Sequence, residues 1–190
     1  MKLTTFGERV ALEIVSETYS GTIALPEKRS ASFFIGRCIA VGDGKLIDGS
    51  QKEVYIKDGS VYMFQLDFSQ RTNATFMVDK KPVLMLHQGD MIAELTSQEI
   101  KFDTVTMVGN WMLLKPYVEH SSNIVLPENA GIESFEINHF RLAKPVPFDP
   151  SLKVGDEIFG GRGRMTTMDL DGQRYVFIHR SFVYGVLPAE

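Results

Sequence analysis

The stretch Ile124-Val125-Leu126-Pro127-Glu128 repeats, 101 residues later, the pattern of Ile23-Ala24-Leu25-Pro26-Glu27. Each aliphatic triplet follows a short polar run, Ser20-Gly21-Thr22 in the first copy and Ser121-Ser122-Asn123 in the second, and each is closed by a proline. A polar run before an apolar triplet and a proline after it are typical of a loop that exposes an apolar patch. It also surrounds ordinary core strands, so a buried strand segment is the alternative for each triplet. Two copies predict a chain built from two repeated units.

The composition describes a chain with room for a sizeable core. Its 190 residues are 44% apolar, which suits one large domain or two domains of about a hundred residues each. The net charge of -4 leaves no basic surplus for binding phosphates. Cys38 is the single cysteine, so no intramolecular disulfide forms and folding in a reducing compartment is possible. No apolar run approaches the roughly 18 residues of a membrane span, and Met1–Phe6 starts no signal-like segment. We therefore expect a cytoplasmic protein that binds neither nucleic acid nor membrane.

Short apolar segments separated by glycine turns predict an all-β chain. No segment carries a 3.6-residue stripe over three turns. Residues 15–21 are polar and predict a segment without anchoring contacts, whereas Lys45–Lys52, with Asp48-Gly49 in the middle, is typical of a small hairpin. Strands at this spacing favour a small barrel or sandwich. The strands predicted in the first half are Arg9–Ile14, Phe33–Val41, Val61–Phe64, Ala74–Val78, Val83–Leu86 and Met91–Leu95.

The pattern starts again after residues 96–107. This polar stretch predicts a boundary, and its apolar residues Ile100, Phe102 and Val105 favour a packed, strand-like linker over a floppy one. The second half differs at Lys144–Pro150, where three prolines fix φ and remove hydrogen-bond donors, so this run cannot repeat the hairpin. The corresponding pairs are Arg9–Ile14 with Asn110–Lys115 at the same 101-residue offset, Lys57–Phe64 with Lys153–Phe159 at a shorter one, and Met91–Leu95 with Phe182–Leu187.

Taken in order, these segments resemble the GroES-type co-chaperonins of the chaperonin-10 family, the lid proteins of chaperonin rings. The most specific pieces are Ala40-Val41-Gly42-Asp43-Gly44 and the polar loop with its triplet. The resemblance covers most of residues 7–95 and, more loosely, residues 108–188. It implies two tandem GroES-like β-barrels. Residues 1–95 would form the first barrel with a mobile loop and a roof hairpin, residues 96–107 the linker, and residues 108–190 a divergent second barrel without a roof hairpin.

The resemblance also implies a function. In that family the polar loop is mobile when free, and its tripeptide docks into an apolar groove of the chaperonin. The resemblance implies a GroEL-type ring as partner and a homo-oligomeric ring of this chain. The residue patterns themselves lead us to expect no cofactor and no metal. Gly21-Thr22 and Ser122-Asn123 stand where the family has a glycine pair. The implied chaperonin-binding residues are Ile23, Ala24 and Leu25 in the first loop and Ile124, Val125 and Leu126 in the second.

No pattern in the residues predicts catalysis. The glycines of Gly42-Asp43-Gly44 lack the spacing of a dinucleotide fingerprint, and Asp169 and Asp171 before Gly172 are typical of a hairpin. Gly160–Arg164 is a basic turn, which is either a solvated hairpin tip or a contact for phosphate or an acidic partner. The histidines show no i,i+4 pairing and make a poor metal set with one cysteine; they are His87, His120, His139 and His179.

We therefore expect a protein that is not an enzyme. The principal alternative is a structural or virion assembly protein that reuses two GroES-like barrels. An enzyme with a GroES-like catalytic domain is a third reading, but the chain is too short to hold the nucleotide-binding domain that it would require.

Overall fold

The computed structural model of the chain describes residues 3–19, 32–66, 74–97, 99–117, 138–160 and 165–189. These ranges form antiparallel β-strands together with short 3-10 turns at Gln88–Asp90 and Arg180–Phe182. No helix in them is long and apolar enough to cross a membrane. The strands are β1 (Arg9–Tyr19), β2 (Ser32–Val41), β3 (Val61–Gln65), β4 (Thr75–Val78), β5 (Lys81–His87), β6 (Met91–Leu95), β7 (Val105–Met107), β8 (Trp111–Pro116), β9 (Asn138–Leu142), β10 (Glu157–Gly160), β11 (Met165–Leu170), β12 (Gln173–His179) and β13 (Val183–Leu187).

The first sheet has seven strands in the order β4-β5-β1-β2-β3-β6-β7. It contains every strand that the sequence predicts in the first half, so the all-β prediction is confirmed. The prediction of an unanchored segment from residue 15 was wrong as far as residue 19, because β1 continues to Tyr19, which pairs with Ser32. The apolar strand β2 supplies the backbone partners, and this pairing outweighs the low strand propensity of a polar sequence.

The second sheet repeats the first, in the order β11-β12-β8-β9-β10-β13. This is the order of the first sheet without β7. Arg9 pairs with His87 in the first sheet and Trp111 with His179 in the second, so Arg9 corresponds to Trp111 at an offset of 102 residues. The predicted offset of 101 was wrong by one residue here. The correction matters because adjacent strand residues face opposite sides of a sheet.

One turn occurs in both sheets with the same hydrogen bonds. In the first, the N–H of Gly59 donates to the carbonyl of Cys38 over 2.9 Å; in the second, the N–H of Gly155 donates to Leu142 over 2.9 Å. Both glycines have a positive φ, 80° and 101°, which a residue with a side chain rarely adopts. The correspondence between the turns that begin at Lys57 and Lys153 is therefore confirmed. At the other end of the segments the ladders match Met63 with Phe159, so Phe64 corresponds to Gly160 and not to Phe159.

Both sheets are apolar on their two faces. Along β2, Phe33 and Ile35 belong to one core cluster and Phe34 to another; along β8, Leu113 and Met112 are separated in the same way. Strands that are buried on both faces read as continuous apolar runs, as these do. Each sheet therefore packs its own core on one face and meets the other sheet with the opposite face.

The cluster between the sheets is called the shared layer below. At its centre the rings of Phe33 and Phe177 meet edge to face, with 5.8 Å between centroids, and Phe102 stacks on Tyr175 at 5.2 Å. Residues 105–107, at the end of the predicted linker, form β7 beside β6 and add to this layer. Its buried members are Phe33, Ile35, Met63, Ile92, Ala93, Leu95, Val105 and Met107 from the first sheet with Trp111, Leu113, Leu170, Tyr175 and Phe177 from the second.

The turn Gly42-Asp43-Gly44 leads from β2 into the segment predicted as a hairpin. A Cβ on Gly42 would overlap the carbonyl oxygen of Gly7, and Gly44 has a φ of 74°. The Asp43 carboxylate accepts hydrogen bonds from the N–H groups of Lys45 and Gly7, each 3.0 Å long, and these bonds hold its pKa below the usual value. Lack of space thus requires glycine at position 42, hydrogen bonding favours Asp43, and the backbone conformation favours glycine at position 44.

A narrow hairpin follows this turn. Lys45 pairs with Gln51, Gly49 at the tip has a φ of 83°, and the Asp48 carboxylate accepts from the Ser50 N–H at 2.9 Å. The side chain of Ile47 is fully exposed there. In the second sheet the residues between β9 and β10 contain no strand, and Val146 of the proline-rich run is buried in the core.

Buried Gln88 ties three segments of the first sheet together. Its amide donates to a carboxylate oxygen of Glu8 over 2.8 Å and to the carbonyl of Glu53 over 2.9 Å, and it accepts from the N–H of Tyr55 over 3.1 Å. The Glu8 carboxylate also lies 3.3 Å from a ring nitrogen of His87. The Gln88 hydrogen bond first, and then His87, lower the pKa of Glu8.

We expect Phe177→Ala to lower the free energy of unfolding by about 3–5 kcal/mol, because it leaves a cavity in the shared layer. Both sheets should lose stability together. The fluorescence of Trp111, in the shared layer, and the thiol reactivity of Cys38, buried in the first sheet's own core, should give one urea midpoint. Ile47→Ala, at an exposed tip, should change stability by less than about 0.5 kcal/mol. Two separate midpoints would contradict a single cooperative core.

We expect Gly42→Ala to cost about 3 kcal/mol or more, since the new methyl group overlaps backbone that cannot move independently. Gly49→Ala is the matched control. A Cβ there meets nothing within 4 Å, so only the positive φ is penalised, by about 1–2 kcal/mol, partly offset by lower entropy of the unfolded chain. If chemical denaturation gave equal losses of unfolding free energy for Gly42→Ala and Gly49→Ala, the surrounding backbone would have moved to remove the overlap at Gly42.

The lowered pKa of Glu8 predicts an acid-dependent contribution to stability. A carboxyl group whose pKa is lower in the folded state stabilises the fold above its unfolded pKa of about 4.3, and this contribution disappears as the pH falls through the folded value. The free-energy difference between wild type and Glu8→Gln, measured by urea unfolding, should therefore be largest near neutral pH and shrink below about pH 4. Glu99→Gln, at a carboxylate that is 70% exposed, serves as control. A difference that is constant with pH would refute this role for the Glu8 carboxylate.

Candidate functional site

Both predicted binding triplets lie outside the described residues. Ile23, Ala24 and Leu25 fall within residues 20–31, and Ile124, Val125 and Leu126 fall within residues 118–137. The structure describes the strands that hold the two segments. The first segment connects β1 to β2, and the second connects β8 to β9, which are the equivalent strands of the second sheet.

The root of the first segment is apolar and buried. Tyr19 pairs with Ser32 at the end of the β1–β2 ladder, and the next residues of β2 are Phe33 and Phe34. Phe33 is fully buried in the shared layer, while Phe34 stacks on Phe64 with centroids 5.8 Å apart. These two rings, packed on opposite faces, fix the strand from which the segment departs.

The root of the second segment is aromatic and charged. The N–H of Tyr117 donates to the carbonyl of His139 over 3.0 Å, and the two rings lie 4.2 Å apart. His139 also stacks on Phe159 at 4.5 Å, and its Nε2 lies 3.0 Å from a carboxylate oxygen of Glu157. Arg141 lies 3.4 Å from the same carboxylate and 4.4 Å from the centre of the Tyr117 ring. The two roots therefore differ in chemistry although their topology is the same.

Sequence reasoning weighed the histidines only as metal ligands and missed these roles. Besides His139, His87 and His179 occupy equivalent positions, where each ring accepts a backbone N–H and caps the 3-10 turn that follows. His120 lies outside the described residues. The signal was present in the sequence, since His87 lies four residues before the segment Met91–Leu95 and His179 three residues before the corresponding segment Phe182–Leu187.

The other chemically distinctive residues have structural roles. Burial raises the pKa of the Cys38 thiol to about 11, so the thiolate is suppressed at neutral pH. Asp171 has a φ of 51° in the β11–β12 turn and accepts the N–H of Phe102 over 2.9 Å, which agrees with the predicted hairpin chemistry. Among the described residues no group of three or more His, Cys, Asp or Glu side chains is arranged to hold a metal ion. Of the basic turn Gly160–Arg164, only Gly160 is described.

Comparison with known proteins gives a family for the first half. Residues 2–95 match the model of the chaperonin 10 kDa subunit. The co-chaperonin GroES of Brevibacillus choshinensis is 34% identical over 95 residues, which cover 48% of this chain and 96% of the relative. GroES of Natranaerobius thermophilus is 33% identical over 97 residues (49% and 97%), and GroES of Clostridium acetobutylicum is 28% identical over 94 residues (48% and 95%).

The matched half coincides with strands β1–β6, and the strand order of the second sheet repeats theirs. Almost the whole length of each relative is covered by half of this chain. The chain therefore belongs to the chaperonin-10 family of GroES-type co-chaperonins, with the family fold of its first half repeated in a second sheet.

Proposed function

We propose that the protein is a co-chaperonin lid that binds an ATP-driven, GroEL-type chaperonin ring through two mobile loops and so assists protein folding. Ile23, Ala24 and Leu25 are the docking residues of the first loop, and Ile124, Val125 and Leu126 those of the second. The chain performs no reaction of its own and binds no cofactor. It acts as a cytoplasmic homo-oligomer.

The observation that carries the proposal is topological. Two aliphatic triplets, similar in sequence, lie in the two segments that join equivalent strands of the two sheets. Both triplets keep the same place relative to the strands of their sheet, which supports one shared role for the two connecting segments. The relatives are named co-chaperonins, which supports the same role for the recurring segments.

Magnitudes explain why one loop is insufficient. Full burial of Ile, Val and Leu side chains contributes about 1.5–3 kcal/mol each, or roughly 5–8 kcal/mol for a triplet. Ordering about ten loop residues costs on the order of 10 kcal/mol or more. A single loop therefore binds weakly. Several loops on one oligomer raise the effective concentration of each later contact, so the lid holds firmly and still releases when the groove changes shape.

The second loop is expected to bind at least as strongly as the first. The second connecting segment, residues 118–137, is longer than the first, residues 20–31, and this extra length adds only about 0.5 kcal/mol to the entropy of closing the loop. Val125 in place of Ala24 adds two buried carbon groups, worth about 1.6 kcal/mol at about 0.8 kcal/mol each. The free energy gained by burying Val125 therefore exceeds the entropic cost of closing the longer second segment.

Binding of the full chain to a purified GroEL-type ring, with and without ATP, tests the proposal. Ile23→Ser/Leu25→Ser and Ile124→Ser/Leu126→Ser should each weaken nucleotide-dependent binding by at least about tenfold, because each pair removes about 2–4 kcal/mol of apolar burial even if it is only partial. The second pair should have the larger effect. Ile47→Ser/Val154→Ser, which changes two exposed apolar residues elsewhere, is the control.

The test separates the lid from the structural alternative. If a stably assembled wild-type protein binds the ring in no nucleotide state, the lid is refuted and an assembly protein that reuses two barrels is favoured. If binding occurs but neither pair of serine substitutions weakens it, the docking residues are assigned wrongly.

A further inference from the structure

The root of the first segment, called the first root below, is the end of the β1–β2 ladder at Tyr19 and Ser32, and it lies directly beside the shared layer. Phe33 follows Ser32 and is fully buried in that layer, where its ring meets the ring of Phe177 edge to face with 5.8 Å between centroids. Val15 of β1 also packs against the same cluster. The strands that hold the first connecting segment are therefore held in part by the second sheet.

The root of the second segment, called the second root, is joined to the shared layer along one strand. Phe177 of β12 lies directly opposite Leu113 of β8 in the ladder, and both side chains belong to the shared layer. Tyr117 follows Leu113 by four residues, and its N–H donates to the carbonyl of His139 over 3.0 Å. At about 3.3 Å per residue, the second root lies about 13 Å along the chain from the shared layer.

A neighbouring ring anchors the first root on the opposite face of β2. Phe34 stacks on Phe64, with 5.8 Å between centroids, in the first sheet's own core. Among the described residues, no strand of the second sheet contributes a buried side chain to that cluster. Phe33 and Phe34 therefore anchor the same root to two different layers, and only the layer of Phe33 contains residues of the second sheet.

Opening of the first root changes the packing of the second sheet. When the end of the β1–β2 ladder opens, Phe33 loses its packing and Phe177 loses a neighbour on one side. Protein interiors are close-packed, so the residues that line such a void lose contacts outright. A contact between two aromatic rings changes an equilibrium by about two- to tenfold beyond the area that it buries.

We propose that the ring pair of Phe33 and Phe177 couples the two roots, so that ordering of one connecting segment favours ordering of the other. Coupling between two sites is reciprocal. Docking of either triplet then raises the affinity of the other triplet beyond the effect of carrying two arms on one body. This inference rests on the proposed docking function and adds a form of regulation to it, because the two arms of one chain bind and release together.

The first test follows amide hydrogen exchange at the second root in the full chain, without chaperonin. Phe33→Leu and Phe34→Leu form a matched pair, because the two rings are adjacent in β2 and at most 3% exposed. Both substitutions should speed exchange at the end of the β1–β2 ladder. Only Phe33→Leu should speed exchange of the Tyr117 amide, by about two- to tenfold.

The reciprocal substitution, Phe177→Leu, should speed exchange at residues 17–19 of β1. Urea midpoints report the global stability of each variant and so separate local opening of a root from complete unfolding. A Tyr117 amide that is unchanged in Phe33→Leu, or that changes equally in Phe34→Leu, would overturn the coupling.

The second test measures binding of the full chain to a GroEL-type ring with ATP. Ile124→Ser/Leu126→Ser should weaken binding by a factor that is about twofold or more larger in the wild-type background than in Phe33→Leu. Phe34→Leu should leave this factor as in the wild type. An equal factor in all three backgrounds would show that the arms are linked by multivalency alone, which also overturns the proposal. If the wild type binds no ring, the docking function fails, and the exchange of the Tyr117 amide still decides the coupling.

Discussion

The burial of one sheet's second apolar face against the other sheet is the constraint on which this structure depends. Phe33, Ile35 and Met63 point away from the first sheet's own core and are nonetheless almost fully buried. A single sheet of this sequence would expose them as a contiguous apolar patch, which isolated soluble proteins rarely tolerate. The second sheet covers this patch, so the two repeats share one buried layer in addition to the clusters that each repeat forms by itself.

Much of this fold could be predicted because its signals are local. Asp48-Gly49 specifies a tight turn by its backbone conformation, and the continuous apolar runs of β2 and β8 specify strands without an exposed face. The polar end of β1 could not be predicted, because its strand conformation comes from pairing with residues 32–35 and leaves little trace in its own composition. The one-residue error in offset arose because the comparison was anchored on the triplets, while the connecting segments around them differ in length.

The candidate site was predictable in a different and more limited way. The triplets are recognisable from their aliphatic residues and from the polar runs and prolines on either side. Their binding role stays a prediction because residues 20–31 and 118–137 lie outside the described residues. The cluster at the root of the second segment was invisible in the sequence. Its members Tyr117, His139 and Phe159 are about twenty residues apart along the chain. They come together through two registers, that of β8 with β9 and that of β9 with β10. Ring stacking between strands has no linear motif.

The short strand β7 has a consequence for the two segments that carry the triplets. Domains joined by a flexible tether sample many separations, so a pair of arms on them accepts almost any spacing of binding grooves. Here the connection is itself hydrogen-bonded to β6 and packed in the shared layer, which leaves the two loop roots at one fixed separation. The two connecting segments therefore start from roots at one fixed separation, so the lengths of the segments themselves, residues 20–31 and 118–137, set how far apart the two triplets can reach.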